Sequence, residues 1–209
     1  MVKRQIALIT GASAGIGRAF AKVFARNDYD LIVVARSEDK LNSLAQNLKE
    51  QFGTNVTVLP CDLSAPQAAQ SLFAQVQSLG LSVNVLVNNA GINSVKPFKA
   101  ATAAELEQLV QLNVMALMSL TRLFLEPMLL RGNGRILNVA SIAAYMPTPT
   151  FATYGATKAF VLSFSEAIAA ELADSGVTVT AFCPGFTETA MLAQGGGIEN
   201  LVPPFMKLD

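Results

Sequence analysis

Short apolar runs alternate along this chain with longer stretches in which apolar residues recur at helical spacing. The runs cover 6–10, 30–35, 56–60, 83–88, 135–140 and 177–183. The helical stretches cover 16–27, 37–52, 65–79, 102–130 and 151–175. This order predicts a doubly wound parallel sheet of the α/β class, because right-handed crossovers between parallel strands place helices on both faces. No repeat or linker divides residues 1–209, so a single domain is expected.

The composition fits a sheet that is covered on both faces. Hydrophobic residues make up 52% of the chain and charged residues 14%, and buried parallel strands consist of continuous apolar runs. A membrane protein would also be apolar, but no uninterrupted apolar stretch approaches the roughly 18 residues of a spanning helix. Basic and acidic residues balance at 15 each. The charge therefore gives no reason to expect nucleic acid or a membrane as a partner.

The residue types that the chain lacks exclude some kinds of catalytic site. The chain has no histidine, which removes the commonest general base and the Ser-His-Asp kind of nucleophile activation. Cys61 and Cys183 lack the spacing of metal ligands, so no metal site is predicted, and two reduced intracellular thiols are favoured over a disulfide. The apolar run at 6–9 is too short for a signal peptide. A cytoplasmic location is therefore expected.

The first apolar run leads directly into residues 10–17, which read T-G-A-S-A-G-I-G and open a helix. Glycines let the backbone approach a pyrophosphate closely, and the helix N-terminus supplies free N–H donors and a favourable dipole. A purely structural turn is the alternative, but the position at the start of a β-α-β unit favours dinucleotide binding in a Rossmann-type fold. The candidate contacts are Gly11, Ser13, Ala14, Gly15, Ile16 and Gly17.

The spacing T-G-x-x-x-G-x-G resembles the glycine motif of the short-chain dehydrogenase/reductase family, and the resemblance extends over about 5–191. It implies a nicotinamide cofactor. Ala35 occupies the position where an acidic residue would bind the ribose 2′-hydroxyl, and the guanidinium of Arg36 beside it can clamp a 2′-phosphate. In the family this pattern goes with NADP(H), although such relatives often have a basic residue at the position of Ala14. NAD(H), with Arg36 merely facing solvent, is the alternative.

Two further segments match the family after the third and fourth runs. Relatives use the aspartate at the position of Asp62 to contact the adenine ring; a helix N-cap is the alternative role. Residues 88–91 read N-N-A-G and resemble the segment that braces the sheet and lies along the cofactor, with a plain turn as the alternative. The implied cofactor contacts are Asn89, Ala90 and Gly91.

Tyr154 and Lys158 lie four residues apart, on one face of the last predicted helix. A nearby ammonium favours the phenolate, so we expect Lys158 to lower the pKa of Tyr154 from its usual value of about 10. The tyrosine then becomes a general acid or base near neutral pH. Such pairs also occur on ordinary surface helices. This one resembles the Y-x-x-x-K motif of the family and is implied to contact the cofactor as well.

Ser141 and Asn113 complete the resemblance to the family's catalytic site. Ser141 ends the fifth run, where relatives carry a serine whose hydroxyl stabilises alkoxide charge on the substrate. Asn113 matches a helix asparagine that holds a water linking the lysine to solvent. The alternatives are a serine that satisfies a loop backbone and an asparagine that joins two helices.

The C-terminal part matches the family less fully. Pro184 and Gly185 match a turn that places backbone groups against the nicotinamide carboxamide. Thr189 matches a later threonine near the amide or pyrophosphate, and Thr187 stands where many relatives have Val or Ile. Relatives usually continue beyond the position of residue 209, so the family's last strand and helices are expected to be absent from these 209 residues. Either the sequence is part of a longer chain or the protein lacks them. The resemblance also predicts a homodimer or homotetramer.

Together these features predict an NADP(H)-dependent oxidoreductase that interconverts a carbonyl and an alcohol by hydride transfer. Tyr154 would protonate the carbonyl oxygen and Ser141 would polarise it. Lys158 would hold the ribose hydroxyls, and Asn113 would complete a proton relay. An NADP(H)-binding sensor or scaffold without catalysis is the second hypothesis. The substrate is expected to be a small molecule with an apolar portion, and its candidate contacts are Ile142, Ala143, Pro147, Phe151 and Phe186.

Overall fold

The computed structural model of the protein describes residues 4–185. At its centre lies a parallel six-stranded sheet with the order β3-β2-β1-β4-β5-β6, which confirms the predicted doubly wound fold. The strands are β1 (Ile6–Thr10), β2 (Asp30–Ala35), β3 (Val56–Pro60), β4 (Val83–Asn88), β5 (Gly134–Val139) and β6 (Val177–Phe182). The helices are α1 (Gly15–Arg26), α2 (Glu38–Phe52), α3 (Ala68–Ser78), α4 (Ala103–Val110), α5 (Leu117–Leu130) and α6 (Ala152–Glu171).

Helices cover both faces of the sheet, as predicted. On one face, α1 and α2 pack over a core that contains Ile9 and Val33. On the other face, α3 and α5 pack over Leu8 and Leu86, and α6 packs beside them on β5 and β6. The strand order reverses between β1 and β4, and ligands of such sheets bind in the crevice at this switch point.

The pattern of burial changes from the centre of the sheet to its edge. All five residues of β1 are buried, as a strand covered on both faces requires. In β6, an edge strand of the described sheet, Val177 is buried whereas Thr178, Thr180 and Phe182 are exposed. This alternation shows that α6 covers only one face of β6.

The predicted helix at 65–79 begins later, at Ala68. A carboxylate oxygen of Asp62 accepts hydrogen bonds from the backbone N–H of Ser64 at 3.0 Å and from its hydroxyl at 2.7 Å, which forms a turn. Pro66 then disfavours helical backbone at the residue before it. Asp62 therefore caps this turn, and Gln67 is the N-cap residue of α3. The alternative role of Asp62 as a helix N-cap is wrong.

The predicted helix at 102–130 contains an interruption. Residues Gln111–Ala116 form a π-helical segment between α4 and α5, and Asn113 is buried within it. Segments of this kind are rare and concentrate at functional sites. The apolar spacing continues through the segment, so the sequence pattern gave no sign of it.

The stretch Ala103–Leu130 is also long and apolar enough to cross a membrane by length and composition, with a mean hydropathy of 1.3. Its side chains Leu120, Phe124 and Met128 are buried in the core against the sheet. Core helices often pass such a test. The expectation that the protein has no membrane partner stays a prediction.

The other bounds differ from the predicted ones by at most one residue, except that α6 ends at Glu171 and not at 175. The hydroxyl of Ser175 donates to the carbonyl of Leu172 at 2.7 Å. Gly176, with φ of 75°, then turns the chain into β6. The local turn thus ends the helix before its apolar spacing stops.

Candidate active site

A cleft of about 280 Å³ opens at the carboxyl ends of the central strands. It extends from the end of β2 to the first turns of α6. Four predicted site residues are described but do not line the cleft: Gly17, Asn113, Ser141 and Gly185. Three further predicted residues lie outside the described residues: Phe186, Thr187 and Thr189. The predicted site residues that line it are Gly11, Ser13, Ala14, Gly15, Ile16, Arg36, Asp62, Asn89, Ala90, Gly91, Tyr154, Lys158 and Pro184.

The N-terminus of α1 faces this cleft without a cap of its own. Its N-cap residue is Ala14, which has no side chain to accept a backbone hydrogen bond, and no acidic residue occurs in the first turn. Gly11 and Gly15 adopt φ values of 66° and 51°, which favour glycine. The free N–H groups and the helix dipole make this a suitable place for an anion.

Gly17 lies behind the turn. A Cβ at this position would overlap the carbonyl oxygen of Gly11 and would lie 2.5 Å from Nδ2 of Asn89. A glycine at this position therefore lets α1 pack closely against the turn. The direct cofactor contact predicted from the sequence stays a prediction.

We expect Gly17→Ala to lower the free energy of unfolding by about 1–3 kcal/mol, because the added methyl overpacks the turn, and to weaken dinucleotide binding. Thermal unfolding and NADPH titration would measure the two effects. Gly53→Ala is the control. An alanine at this position would have a strained backbone, because φ is 61°, but its Cβ would meet open space at the end of α2. It should lose stability and keep its affinity. Equal affinity in both variants would contradict the packing role.

The glycine turn is tied to the end of β4 by Thr10, which was not among the predicted site residues. Its hydroxyl donates to the carbonyl of Val87 at 3.2 Å and accepts from the N–H groups of Asn89 and Ala90, both at 2.9 Å. The Asn89 amide donates back to the Thr10 carbonyl at 2.9 Å. These bonds fix the two central strand ends relative to each other. The position of Thr10 directly before Gly11 was the signal that could have identified it.

The outer end of the cleft carries the guanidinium of Arg36, directly after β2, and the carboxyl end of β2 has no acidic residue. Arg36 is exposed there, beside Ala35 and Ser37, which also line the cleft. Across from it, the pKa of Asp62 is lowered, mainly by the hydrogen bond from Ser64 and further by the charge of Arg36. The ionised carboxylate of Asp62 is thus held by its own turn.

Lys158 lies at the inner end of the cleft and is almost fully buried, with 6% of its surface exposed. Its Nζ donates to the carbonyl of Val139, the last residue of β5, at 2.7 Å. Burial lowers the pKa of Lys158 to about 8. The ammonium is therefore fixed at the end of β5 and can lose its proton just above neutral pH.

Tyr154 differs from the sequence prediction in its titration. Its pKa is raised by burial, and the hydrogen bond with Ser141 only partly opposes this. The Lys158 ammonium lies 5.7 Å from the centre of the Tyr154 ring and is bonded to Val139. The sequence predicted a lowering of this pKa by Lys158, whereas in the structure burial is the largest cause and raises it.

Ser141 serves the loop and the site together. It is the N-cap of a short 3₁₀ turn, Ile142–Ala144, and its Oγ accepts from the N–H of Ala143 at 3.2 Å. The same hydroxyl interacts with the Tyr154 phenol. The backbone role considered as an alternative is thus present, and it fixes the hydroxyl beside Tyr154.

Asn113 joins three segments through its side-chain amide. Its Oδ1 accepts from the N–H of Ile92 and its Nδ2 donates to the Ile92 carbonyl, both at 2.9 Å. Nδ2 also donates to Oγ1 of Thr157 on α6 at 3.2 Å. The alternative of a hydrogen bond between helices is therefore what the structure shows. The water relay expected from the resemblance stays a prediction.

The expected apolar substrate contacts that the structure describes do not line this cleft. Ala143 and Pro147 line a separate open hollow of about 600 Å³ against the first turns of α6, and Ile142 is exposed. Phe151 packs near Tyr154, with ring centres 6.3 Å apart. This ring contact places Phe151 beside the predicted catalytic tyrosine.

The sequence model of short-chain dehydrogenases matches residues 5–196. The chain belongs to the short-chain dehydrogenase family. Among its relatives is a very-long-chain 3-oxoacyl-CoA reductase of Phaeosphaeria nodorum, which is 36% identical over 88% of this chain and 55% of its own length. The chain spans 55% to 60% of the length of the first such reductases that it matches.

Solved structures of short-chain dehydrogenases are similar over most of the chain. One from Sphingobium yanoikuyae, in complex with NADPH, has a TM-score of 0.89 and 36% identity over 95% of this chain and 77% of that one. The bulky-bulky ketone specific alcohol dehydrogenase from Comamonas testosteroni has a TM-score of 0.84 and 34% identity over 88% of this chain and 73% of that one.

Part of the cleft of this short-chain dehydrogenase was not predicted from the sequence. These residues lie next to predicted ones, at strand ends or beside the helix asparagine, and adjacency was the only signal for them. They are Val34, Ser37, Cys61, Leu63, Ile92, Leu112, Val139 and Ala140.

Proposed function

We propose that this short-chain dehydrogenase interconverts a carbonyl and an alcohol of a small molecule with NADP(H) as the hydride carrier. One observation carries the proposal: a single cleft holds an uncapped helix N-terminus and Arg36 at one end and Tyr154 and Lys158 at the other. An anion-binding end joined to an end with a proton donor is what a dinucleotide-dependent reductase requires.

The cleft fits a phosphorylated dinucleotide by its donor groups. The N–H groups of the 10–17 turn suit a pyrophosphate, and Arg36, with Ala35 in place of an acid, suits a 2′-phosphate. Gly91 lies beside Lys158 on the cleft wall. The NADPH named in the Sphingobium yanoikuyae structure supports the same choice. When bound, the nicotinamide would supply the hydride.

The residues of the chain would then handle the proton. Burial keeps Tyr154 protonated through neutral pH, because its pKa is raised. The phenol can therefore donate to the carbonyl oxygen of a substrate during reduction. The Ser141 hydroxyl beside it would donate to the same oxygen and stabilise its developing charge. Lys158 would offer its remaining N–H groups to the ribose hydroxyls.

The rate of carbonyl reduction should depend on pH through the ionisation of Lys158. Its pKa lies at about 8, so the ammonium is present below that pH and is lost above it, while the raised pKa of Tyr154 keeps the phenol protonated. We expect kcat/KM for carbonyl reduction to be constant up to about pH 8 and to fall above it. In Lys158→Arg, whose guanidinium stays charged, the residual activity should not show this fall. A wild-type profile that stays flat well above that pH would contradict the assignment.

A panel of ketones, aldehydes, 3-oxoacyl thioesters and steroids, tested with NADPH and NADH, would test the proposal. We expect NADPH oxidation with at least one compound class and slower oxidation of NADH. Tight NADPH binding with no oxidation across the panel would instead support a sensor or scaffold. Substrates with a large apolar part are expected to be preferred, since relatives are named for very-long-chain 3-oxoacyl-CoA and for bulky ketones.

A homodimer or homotetramer remains part of the proposal. Apolar side chains that include Met115, Leu130 and Phe160 are exposed on the π-helical segment, α5 and α6, and a second copy of the chain would cover them. Mass photometry of the purified protein would measure the assembly, and a monomer at micromolar concentration would oppose it. The cytoplasmic location stays a prediction.

A further inference from the structure

We propose that Thr157 is a positioning residue for the hydride-transfer site. Its hydroxyl ties the side chain of Asn113 to the turn of α6 between Tyr154 and Lys158. Through Asn113, the same hydroxyl fixes the backbone of Ile92 on the cleft wall. The inference rests on the proposed function and assigns Thr157 no contact with substrate.

Thr157 is almost fully buried, with 3% of its surface exposed. Its Oγ1 donates to the carbonyl of Tyr154 at 2.7 Å and accepts from Nδ2 of Asn113 at 3.2 Å. Among the described residues, this is the side-chain hydrogen bond that joins the π-helical segment to α6. The hydroxyl therefore lies one residue before Lys158 and is bonded to the backbone of Tyr154.

The Asn113 amide has its hydrogen-bonding groups committed. Both hydrogens of Nδ2 are used, one by the Ile92 carbonyl and one by Thr157, while Oδ1 accepts from the Ile92 N–H. With 1% of Asn113 exposed, no bulk water can replace a lost partner. An N–H left without an acceptor in such a place is costly, so the amide would rotate or shift to recover one.

Such a shift would reach the inner end of the cleft. A Cβ at Gly91 would lie 3.1 Å from Oδ1 of Asn113 and 3.8 Å from Nζ of Lys158. The Asn113 amide and the Lys158 ammonium thus border the same glycine. A movement of Asn113 would carry Ile92 and Gly91 with it and change the cleft wall beside Lys158.

The substitution that tests this is Thr157→Val, which keeps the branched shape and removes the hydroxyl. Thr121→Val is the matched control, because Thr121 is also buried, at 2% exposure, and its Oγ1 accepts from an asparagine amide, Nδ2 of Asn88, at 3.0 Å. Thr121 lies on α5 and does not contact α6 through that bond. Thr157→Ser restores the hydroxyl, and Thr157→Ala serves if the valine variant does not fold.

We expect Thr157→Val to lower kcat about tenfold, the rate change that corresponds to one hydrogen bond. The KM for the carbonyl substrate should stay unchanged. Thr157→Ser should recover most of the rate, and Thr121→Val should lose stability without losing kcat. Amide hydrogen exchange at Ile92, measured without substrate, should be faster in Thr157→Val alone.

The possible outcomes distinguish a failure of the positioning role of Thr157 from a failure of the proposed function, on which that role rests. If the wild-type protein turns over a carbonyl substrate and Thr157→Val does so equally fast, the inference is overturned and the function stands. If kcat falls by the same factor in Thr121→Val, the effect is one of general stability and the inference is also overturned. If the wild-type protein oxidises NADPH with no compound in the panel, the proposed function fails, and the reaction role of Thr157 fails with it.

Discussion

Tyr154→Phe is expected to lower kcat for carbonyl reduction by roughly 100- to 10,000-fold, the usual contribution of a positioned general acid. The change removes one hydroxyl and keeps the ring. The ring contact with Phe151 and the half-buried environment of the residue are therefore preserved. NADPH affinity should stay within a few-fold of wild type, because the anion-binding end of the cleft is untouched.

The measurement is steady-state turnover of NADPH with the best substrate of the panel, together with a fluorescence titration of NADPH alone. Tyr29→Phe is the matched control, since it removes a tyrosine hydroxyl directly before β2, where the ring packs on Phe24 at 5.1 Å between ring centres. It should retain wild-type activity. Full turnover by Tyr154→Phe would show that another group delivers the proton.

Arg36→Ala should weaken NADPH binding by about 10- to 100-fold, the loss of a charge-assisted hydrogen bond to phosphate. NADH affinity should change little, because that cofactor has no 2′-phosphate. The variant is therefore expected to lose its preference between the two cofactors. Dissociation constants for both, measured at one ionic strength, would test this, since exposed charge interactions are screened by salt.

Arg26→Ala provides the control for charge. Arg26 is also exposed, but it lies in the last turn of α1, at the end of the helix away from the cleft. Its removal changes the net charge by the same amount and should leave both dissociation constants unchanged. An equal loss of NADPH affinity in the two variants would mean that long-range charge, and not a contact at Arg36, attracts the cofactor.

The sequence predicted the sheet well because local signals bound its strands. The run 6–10 is followed at once by glycine, and 83–88 ends in the N-N-A-G segment, so both strand ends are marked by residue type. The predicted start of α3 was wrong because the apolar spacing continues through Pro66, whereas the backbone forms a turn at Asp62 and becomes helical only at Ala68. The π-helical segment, Gln111–Ala116, was missed because it does not interrupt the apolar pattern.

The residues of the site were easier to predict from the sequence than their protonation and their hydrogen bonds. Tyr154 and Lys158 were found from their spacing, but the direction of the tyrosine pKa depends on burial, which spacing does not contain. The bond between Asn113 and Thr157 joins residues 44 positions apart. Such a contact exists only once α6 packs against the π-helical segment, so no pattern within either helix indicates it.

Two of the helices that border the cleft lie on opposite faces of the sheet, α1 on one face and α6 on the other. The groups expected to choose the cofactor and those expected to move the proton therefore belong to separate layers of packing. Substitutions that retune the layer of α1 need not disturb the layer of α6. The architecture lets cofactor preference and reaction chemistry diverge independently, with the strand ends of β1 and β4 as their shared boundary.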